Sequence, residues 1–173
     1  MISHFHRTIE SFDSPESICS YMHTHLHYAS SEQREHSKRH GHHWKKPCET
    51  FKDGYGYCYD LAAFALASLE MSGFKSAQLL FVYWGRWGIE GNTGHFVCVY
   101  PSQQDYGIID NGILKTASSF DQLLQQASRN RDISGYRWFD SHQIPYHTRY
   151  ADMAHFCSDS ENSAQPFKSG YTT

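Results

Sequence analysis

Three residues whose types suit nucleophilic catalysis stand at the ends of predicted elements: Cys58, His95 and Asp110. Cys58 follows a glycine-rich loop at 54–57 and precedes the apolar segment 61–67, so we expect it in the first turn of a helix. The unpaired N–H groups and partial positive charge of a helix N-terminus favour a thiolate over a thiol. His95 begins one strand-like run and Asp110 ends another. We therefore predict a Cys-His-Asp nucleophile relay.

Such a relay would supply what an isolated thiol lacks. A free thiol, with a pKa of about 8.5, is mostly protonated at neutral pH. An imidazole within hydrogen-bond reach forms a thiolate–imidazolium pair with it, and a carboxylate on the other ring nitrogen fixes the tautomer. His95 and Asp110 fit these roles because a hairpin would make them cross-strand neighbours, with Cβ atoms about 5 Å apart. The backbone N–H of Cys58 would be an oxyanion donor.

Each of these residues also has a structural interpretation. A cysteine ahead of an Ala-rich helix can be a small buried hydrophobe, and His95 can be a hydrogen-bonded core histidine. Asp110, Asn111 and Gly112 together make a common turn sequence. The occurrence of all three residue types in this order, each on its own element, favours catalysis over three separate structural roles.

The elements that must position these residues are indicated by cap residues and apolar patterns. Ser14 and Pro15 mark a helix start. The Cys58 helix is predicted to end just before Gly73 and to be apolar on nearly every face. The polar stretch 30–43 is expected to be a loop or a frayed helix end. Strands are predicted at 77–84, 95–100, 106–110 and 136–139, a surface helix at 119–128 and a mobile loop at 85–94.

The chain length bounds the domain organisation. Its 173 residues fit one domain, predicted at 1–157, with a helical, His-rich part at 1–46 and a catalytic core at 47–140. The Ser-, Thr-, Gly- and Pro-containing tail 158–173 is expected to be disordered.

Composition excludes several classes of protein. The formal net charge of −3 gives no reason to expect a nucleic acid or a membrane as partner. The five cysteines are odd in number and unclustered, which argues against a disulfide framework. The sequence shows neither a signal-peptide apolar region nor the roughly 20 apolar residues of a membrane span. We expect a protein that is cytoplasmic at synthesis, with delivery to another cell or compartment left open.

The segment 44–51 and the residues that follow it resemble the transglutaminase-like cysteine proteases of bacteria. The family pattern runs W-x-x-P-x-E-x-L and then G-x-G-D-C-E-D, and the fourteen-residue step from Trp44 to Cys58 agrees with it. The segments 94–99 and 108–111 resemble the family's H-A-V-L and L-D-N blocks, so the resemblance covers about residues 14–112.

This resemblance implies an α+β, papain-like fold in which an antiparallel sheet packs against a central helix that bears the nucleophile. It implies that Cys58, His95 and Asp110 form a triad that hydrolyses a peptide or side-chain amide bond through a thioester. The partner would be a protein or peptide substrate, and no cofactor is expected. The alternatives are transglutaminase or deamidase acyl transfer on protein glutamine, and a catalytically silent module that binds a protein.

Two features depart from the family pattern. Tyr57 and Tyr59 replace the acids that flank the family's cysteine, so we do not expect the calcium site of some members, since calcium needs several oxygen ligands. Asp60 remains, and a structural role at the helix start is at least as well supported for it as a catalytic one. Phe51 replaces a smaller aliphatic residue, which is a minor change.

Four further residues are candidates for lining a substrate cleft: Trp44, Tyr57, Trp87 and Asn111. For Trp44, a buried position in the core is favoured over a position in the cleft. The loop that holds Trp87 has two interpretations, a lid that closes on the substrate and a packed edge loop.

The histidines raise a third hypothesis, a metal-binding regulatory protein. Nine of the 13 histidines precede Trp44, and His23 and His27 have the i, i+4 spacing of a zinc pair on one helix face. No cysteine or carboxylate cluster completes a ligand set. Because His-rich polar segments are more often solvated than metallated, we expect no metal site.

Overall fold

Helices predominate in the first half of the chain and strands in the second half. The computed structural model describes residues 4–84, 94–102, 105–149 and 152. The helices are α1 (His4–Glu10), α2 (Pro15–His25), α3 (Ser31–His40), α4 (Pro47–Asp53), α5 (Cys58–Met71) and α6 (Phe120–Ser128), with a 3₁₀ turn at Ser141–Gln143. The strands are β1 (His27–Tyr28), β2 (Tyr55–Gly56), β3 (Gln78–Tyr83), β4 (Gly94–Pro101), β5 (Tyr106–Asp110), β6 (Ile113–Ala117) and β7 (Gly135–Phe139).

The main sheet has five strands in the order β6-β5-β4-β3-β7, and every neighbouring pair is antiparallel. The predicted α+β class with an antiparallel sheet is therefore confirmed. Strands β1 and β2 form a separate, two-residue parallel pair, in which His27 is the partner of Tyr55. This small pair ties the end of α2 to the loop that leads into α5.

Helix α5 lies in the core, as its composition predicts. Eleven of its residues are buried, including Phe64 and Leu69. It shares one apolar cluster with inward-facing residues of the sheet such as Phe81 and Phe96. Because side chains alternate along a strand, Leu80 and the other face of the sheet pack in a second cluster with α6. The sheet is thus covered by α5 on one face and by α6 on the other.

The turn between β5 and β6 follows from its residues. Asn111 and Gly112 have positive φ angles of 50° and 85°, and Asp110 is the register partner of Ile113. Two consecutive positive φ values define the mirror-image turn that Asn-Gly favours in hairpins. The turn ends β5 at Asp110 and places that side chain at the end of an interior strand of the sheet.

The prediction of a loop or frayed helix end at 30–43 was wrong. Ser31–His40 is an α-helix whose N-cap is Ser30. The Ser30 Oγ accepts a hydrogen bond from Gln33 N at 3.2 Å, and Ser30 N donates one to Gln33 Oε1 at 2.8 Å. None of the residues of α3 is buried, so the helix carries no apolar stripe that a sequence pattern could show.

The predicted helical spacing of His23 and His27 was also wrong. Helix α2 ends at His25, Leu26 has extended backbone angles, and His27 belongs to β1. His23 and His27 therefore do not share a helix face. Among the described residues, no group of three or more His, Cys, Asp or Glu side chains could hold a metal ion.

Most other predicted elements agree with the structure. Ser14 caps α2, α5 spans Cys58–Met71, and the four predicted strands correspond to β3, β4, β5 and β7. The loop 85–93 with Trp87 and the tail 158–173 lie outside the described residues. The domain boundaries stay a prediction. No helix in the described part of the chain is both long and apolar enough to cross a membrane.

Candidate active site

Cys58 is the first residue of α5, which is where the sequence predicts it. Tyr57 is the N-cap, with extended backbone angles, and its N–H donates to Asp60 Oδ2 at 2.9 Å. The N–H of Cys58 is one of the first N–H groups of α5, which have no acceptor within their own helix. At 9% relative exposure, the Cys58 side chain lies just below the surface. The residue lines the cleft that opens beside the start of α5.

Gly56 is required by the close approach of the loop to the helix. A Cβ placed on Gly56 would lie 2.6 Å from the Cβ of Asp60, which no side chain tolerates without movement of the backbone. Gly54 has a φ of +72° and ends α4 in the left-handed conformation. The two glycines thus allow the chain to leave α4 and enter α5 across only four residues, 54–57, which places Cys58 at the helix start.

His95 and Asp110 form the second half of the site. His95 Nε2 lies 2.7 Å from Asp110 Oδ1, and both residues are buried, at 6% and 3% relative exposure. The prediction that the two residues are directly opposite each other on neighbouring strands was wrong. Cys98 is the register partner of Ile109, so His95, three residues earlier, and Asp110, one residue later, are diagonal neighbours. The length of the imidazole spans the larger diagonal separation.

His95 also faces Cys58 across one cleft, and the interaction between their side chains helps to raise the pKa of His95. Because Nε2 is engaged by Asp110, Nδ1 is the ring nitrogen available to the thiol. Burial lowers the pKa of His95, but the hydrogen bonds and charges of Asp110 and Cys58 outweigh it and raise the pKa to about 9. The imidazolium form is therefore favoured at neutral pH, as a thiolate–imidazolium pair requires.

Asp110 is held by more than one cation. Lys115 Nζ donates to its Oδ2 at 2.7 Å, while His95 occupies Oδ1. Arg129 Nη2 lies 3.6 Å from Oδ1. Burial raises the pKa of Asp110, but the hydrogen bonds and positive charges of His95 and Lys115 lower it far more, so its pKa falls well below the ordinary value. Asp110 is a carboxylate throughout the physiological pH range.

Arg129 lies beside the same pair without donating to the imidazole. Its Nη2 is 3.4 Å from His95 Nε2. That nitrogen carries the proton shared with Asp110, so it has no lone pair to accept from a guanidinium. The contact of Arg129 with the pair is therefore electrostatic and directed to the Asp110 carboxylate. Its side chain is 52% exposed, which leaves most of the guanidinium facing solvent.

Asp60 has a structural position, fully buried beneath the helix start. Its Oδ1 accepts a hydrogen bond from Lys45 N at 2.8 Å, and its Oδ2 lies 3.1 Å from His42 Nε2 and 2.9 Å from Tyr57 N. These contacts fasten the segment before α4 to the first turn of α5. Asp60 therefore fixes the path of the chain that leads to Cys58. Among the described residues, no hydrogen bond joins Asp60 to the Cys58 sulfur.

Trp44 lies in the core and not in the cleft. It is fully buried, and its ring packs against Tyr59, Phe96 and Phe139. Its Nε1 donates to Tyr59 O at 3.2 Å. Trp44 therefore supports the residue that follows Cys58 from behind. This position corrects the cleft assignment of Trp44 and agrees with its alternative role as a core tryptophan.

A cleft of about 300 Å³ opens beside Cys58 and His95. The structure places two of the predicted cleft residues, Tyr57 and Asn111, in its wall. Asn111 Oδ1 is buried, and no hydrogen-bond partner for it exists among the described residues. Trp87 lies outside the described residues. The rest of the wall is aromatic and cationic, with Tyr28, Trp84, Arg34, Arg129 and Arg131 among its residues.

Sequence reasoning missed the arginines and Lys115. They come from separate elements, and isolated basic residues on polar segments are indistinguishable from an ordinary solvated surface. Only the alternation along β6 carries a signal, since Lys115 falls two residues after Ile113, the partner of Asp110. That position lets Lys115 reach Asp110 from the neighbouring strand.

Comparisons with known proteins give a distant likeness of fold. No family model and no curated protein matches the chain. Among solved structures, Legionella pneumophila LapG is similar over 68% of this chain and 67% of its own, with 18% identity and a TM-score of 0.48. An EGTA-treated form gives 68% and 66%, 19% identity and a TM-score of 0.46. A calcium-bound form gives 88% and 86%, 17% identity and a TM-score of 0.47.

Proposed function

We propose that this chain is a cysteine-dependent hydrolase of the transglutaminase-like type, with a papain-like arrangement of helix and sheet. The observation that carries the proposal is geometric: Cys58, at the start of α5, and His95 line one cleft, and His95 Nε2 lies 2.7 Å from Asp110 Oδ1. The three groups lie on a helix and two strands that a common core holds rigidly. Their order matches the roles of nucleophile, general base and orienting carboxylate.

In the first half of the reaction, the Cys58 thiolate attacks the carbonyl carbon of an amide. The oxyanion that forms would accept a hydrogen bond from the Cys58 N–H at the positive end of α5. As the C–N bond breaks, the His95 imidazolium gives its proton to the leaving amine. The products of this half are a free amine, a thioester on Cys58 and a neutral His95.

In the second half, water takes the place of the amine. Neutral His95 accepts a proton from the water as its oxygen attacks the thioester carbon. The C–S bond breaks, which releases the carboxylic acid and restores the thiolate–imidazolium pair. Asp110 keeps the imidazole in one orientation through both halves and stabilises its cationic form.

A substrate screen tests the proposal directly. Amide and peptide libraries are incubated with the wild-type chain and with Cys58→Ser, and new amino termini or released amines are detected by mass spectrometry. We expect products with the wild type and a loss of at least a hundredfold in Cys58→Ser, because a hydroxyl at this site lacks the acidity of a thiol. Cys48→Ser, which changes an exposed cysteine, is the matched control and should retain activity.

Equal product yields from wild type and Cys58→Ser would contradict the proposal. Incorporation of an added amine in place of water would reassign the reaction to acyl transfer, with the same nucleophile. Absence of turnover from every library, together with an unreactive Cys58 thiol, would instead support the alternative of a silent protein-binding module.

A further inference from the structure

The cleft beside Cys58 is locally cationic in a chain whose formal net charge is −3. Three arginines line it, from separate places in the chain: Arg34 on α3, Arg129 at the C-cap of α6, and Arg131 just beyond α6. All three side chains are exposed to solvent. Among the described residues that line the cleft, none carries a carboxylate. A cleft that is positively charged in a protein of negative net charge indicates a negatively charged ligand.

Two of the arginines have unneutralised charges. Arg34 Nη2 donates to Ser31 Oγ at 3.2 Å, and the Arg131 guanidinium lies 4.7 Å from the centroid of the Trp84 ring. In the described ranges neither forms an ion pair. The hydroxyl and the ring orient the two guanidiniums without cancelling their charge, so both stay available to a ligand.

The third arginine, Arg129, does not cancel the positive charge of the cleft. Arg129 lies 3.6 Å from Asp110 Oδ1, but the single charge of Asp110 is already matched by Lys115 at 2.7 Å and by the cationic form of His95. The region around the nucleophile therefore carries an excess of positive charge. A planar guanidinium also matches a carboxylate in shape, since it can donate two parallel hydrogen bonds.

We infer that the cleft selects peptides that carry a carboxylate close to the bond attacked by Cys58. This inference rests on the proposed function and names its substrate class. Arg34 and Arg131 are the residues that bind the carboxylate, and the aromatic walls of Tyr28, Tyr57 and Trp84 pack against the apolar parts of the peptide. The carboxylate belongs to an acidic side chain or to the C-terminus of the peptide.

The first test compares two alkylating agents of nearly the same size. Iodoacetate carries a carboxylate and iodoacetamide is neutral. The rate with iodoacetate divided by the rate with iodoacetamide, measured at one cysteine, therefore reports the local charge. We expect this ratio at Cys58 to fall roughly two- to tenfold in Arg34→Gln/Arg131→Gln, the range that loss of two exposed ion pairs gives. It should also fall as salt is raised from 20 mM to 0.5 M, because screening shortens the reach of the charges.

A matched control separates the cleft from the general charge of the protein. Arg39→Gln removes the same charge from the same helix, at a residue that pairs with Glu35 and does not line the cleft. The ratio of the iodoacetate rate to the iodoacetamide rate at Cys58 should be the same in Arg39→Gln as in the wild type. A ratio that is identical in wild type, in the double variant and in Arg39→Gln would overturn the inference.

The second test measures binding without chemistry. Fluorescently labelled peptides are titrated into Cys58→Ala and into Cys58→Ala with Arg34→Gln/Arg131→Gln, and the anisotropy is recorded. Three peptides of one length are used: Asp- and Glu-containing with an amidated C-terminus, neutral with a free C-terminus, and neutral and amidated. We expect at least one carboxylate-bearing peptide to bind more tightly than the neutral, amidated peptide, and the double variant to remove the difference.

The outcomes separate the choice of substrate from the catalytic role of Cys58. Tighter binding of the first peptide assigns the carboxylate to side chains, and tighter binding of the second assigns it to the terminus. Equal binding of all three peptides overturns the inference, whether or not Cys58 is catalytic. An unreactive Cys58 beside a preserved preference for carboxylates contradicts the proposed function and leaves an acidic-peptide binding site.

Discussion

Lys115 Nζ lies 2.7 Å from Asp110 Oδ2, the carboxylate oxygen that His95 does not use. The carboxylate is thus held between an ammonium on one side and an imidazole on the other. The ammonium fixes the rotation of the carboxylate. It also neutralises part of the negative charge that the carboxylate presents to the imidazole ring. Lys115 is therefore a positioning residue for the site, acting on His95 through Asp110.

Replacement of Lys115 by Met should change the pH dependence of the site as well as its rate. Without the ammonium, Asp110 interacts more strongly with the imidazolium, so the pKa of His95 should rise above its wild-type value of about 9. We expect a roughly three- to tenfold loss of hydrolysis from the freed carboxylate. The pKa is measured by NMR titration of the ring proton signal that His95→Gln removes.

Lys115→Arg is the matched variant because it keeps the charge. It should restore the wild-type titration at least in part. A His95 titration in Lys115→Met that superimposes on the wild type would show that the ammonium has no electrostatic role in the site.

Asp110→Asn should lower both activity and the pKa of His95. The amide keeps the size of the carboxylate but removes the charge that stabilises the imidazolium, so the pKa of His95 should fall toward its ordinary value of 6.5. We expect hydrolysis to fall by about 10²- to 10⁴-fold, the range found when the orienting carboxylate of a triad is lost. The control is Asp121→Asn, which removes the same charge from an exposed position in the first turn of α6. Retention of more than half of the wild-type rate by Asp110→Asn would contradict the assigned role.

The free energy of unfolding should depend on pH through the pair of His95 and Asp110. The pKa of His95 is raised from 6.5 to about 9 on folding, so its stabilising effect is full below about pH 6.5 and is lost as the pH rises through 9. The pKa of Asp110 is lowered, so its stabilising effect is present above about pH 4 and is lost as the pH falls. The pair should therefore stabilise the fold most between about pH 4 and 6.5.

Urea unfolding at pH 6 and pH 9.5, under reducing conditions, measures the His95 part of this effect. The free energy of unfolding of the wild type should fall by on the order of 2 kcal/mol more than that of His95→Gln over this interval. Equal changes in the two proteins would show that His95 does not gain a proton-dependent partner on folding.

Asp60 should matter for stability more than for chemistry. Asp60→Ala would leave Lys45 N and Tyr57 N without their acceptor in a partly buried region, and we expect a loss of about 2–4 kcal/mol in the free energy of unfolding. Asp53→Ala is the control, since Asp53 is exposed and, within the described ranges, pairs with Lys45 Nζ at 2.8 Å. That variant should lose less than about 1 kcal/mol. Equal losses in the two variants, measured by urea unfolding, would refute the structural role of Asp60.

The parts of the fold that could be predicted are those with local physical signals. Ser14 with Pro15 starts a helix by capping and a preset φ, and Asn111 with Gly112 makes a turn because both adopt positive φ. The apolar composition of α5 is visible in any window of its sequence. These signals were sufficient to place Cys58, His95 and Asp110 on the correct helix and strands.

The rest depended on information that no local pattern carries. Helix α3 buries no residue, so its only signal was the Ser30 cap. The sequence of the connection between β4 and β5 does not reveal their register, and the diagonal relation of His95 to Asp110 followed only from the structure. Arg34 and Arg131 are far apart in sequence and meet in the cleft because α3 and the end of α6 flank the same opening.

The rate of alkylation of each cysteine by iodoacetamide between pH 4 and 10, in the wild type and in His95→Ala, tests the central claim most directly. Cys48 is exposed and serves as an internal reference, whereas burial raises the pKa of Cys19 to about 11 and that of Cys98 well above its ordinary value. The account predicts that below pH 7 Cys58 reacts at least tenfold faster than Cys48, and that His95→Ala removes this advantage. A Cys58 thiol that follows the pH profile of Cys48, or one whose rate His95→Ala leaves unchanged, would contradict the account.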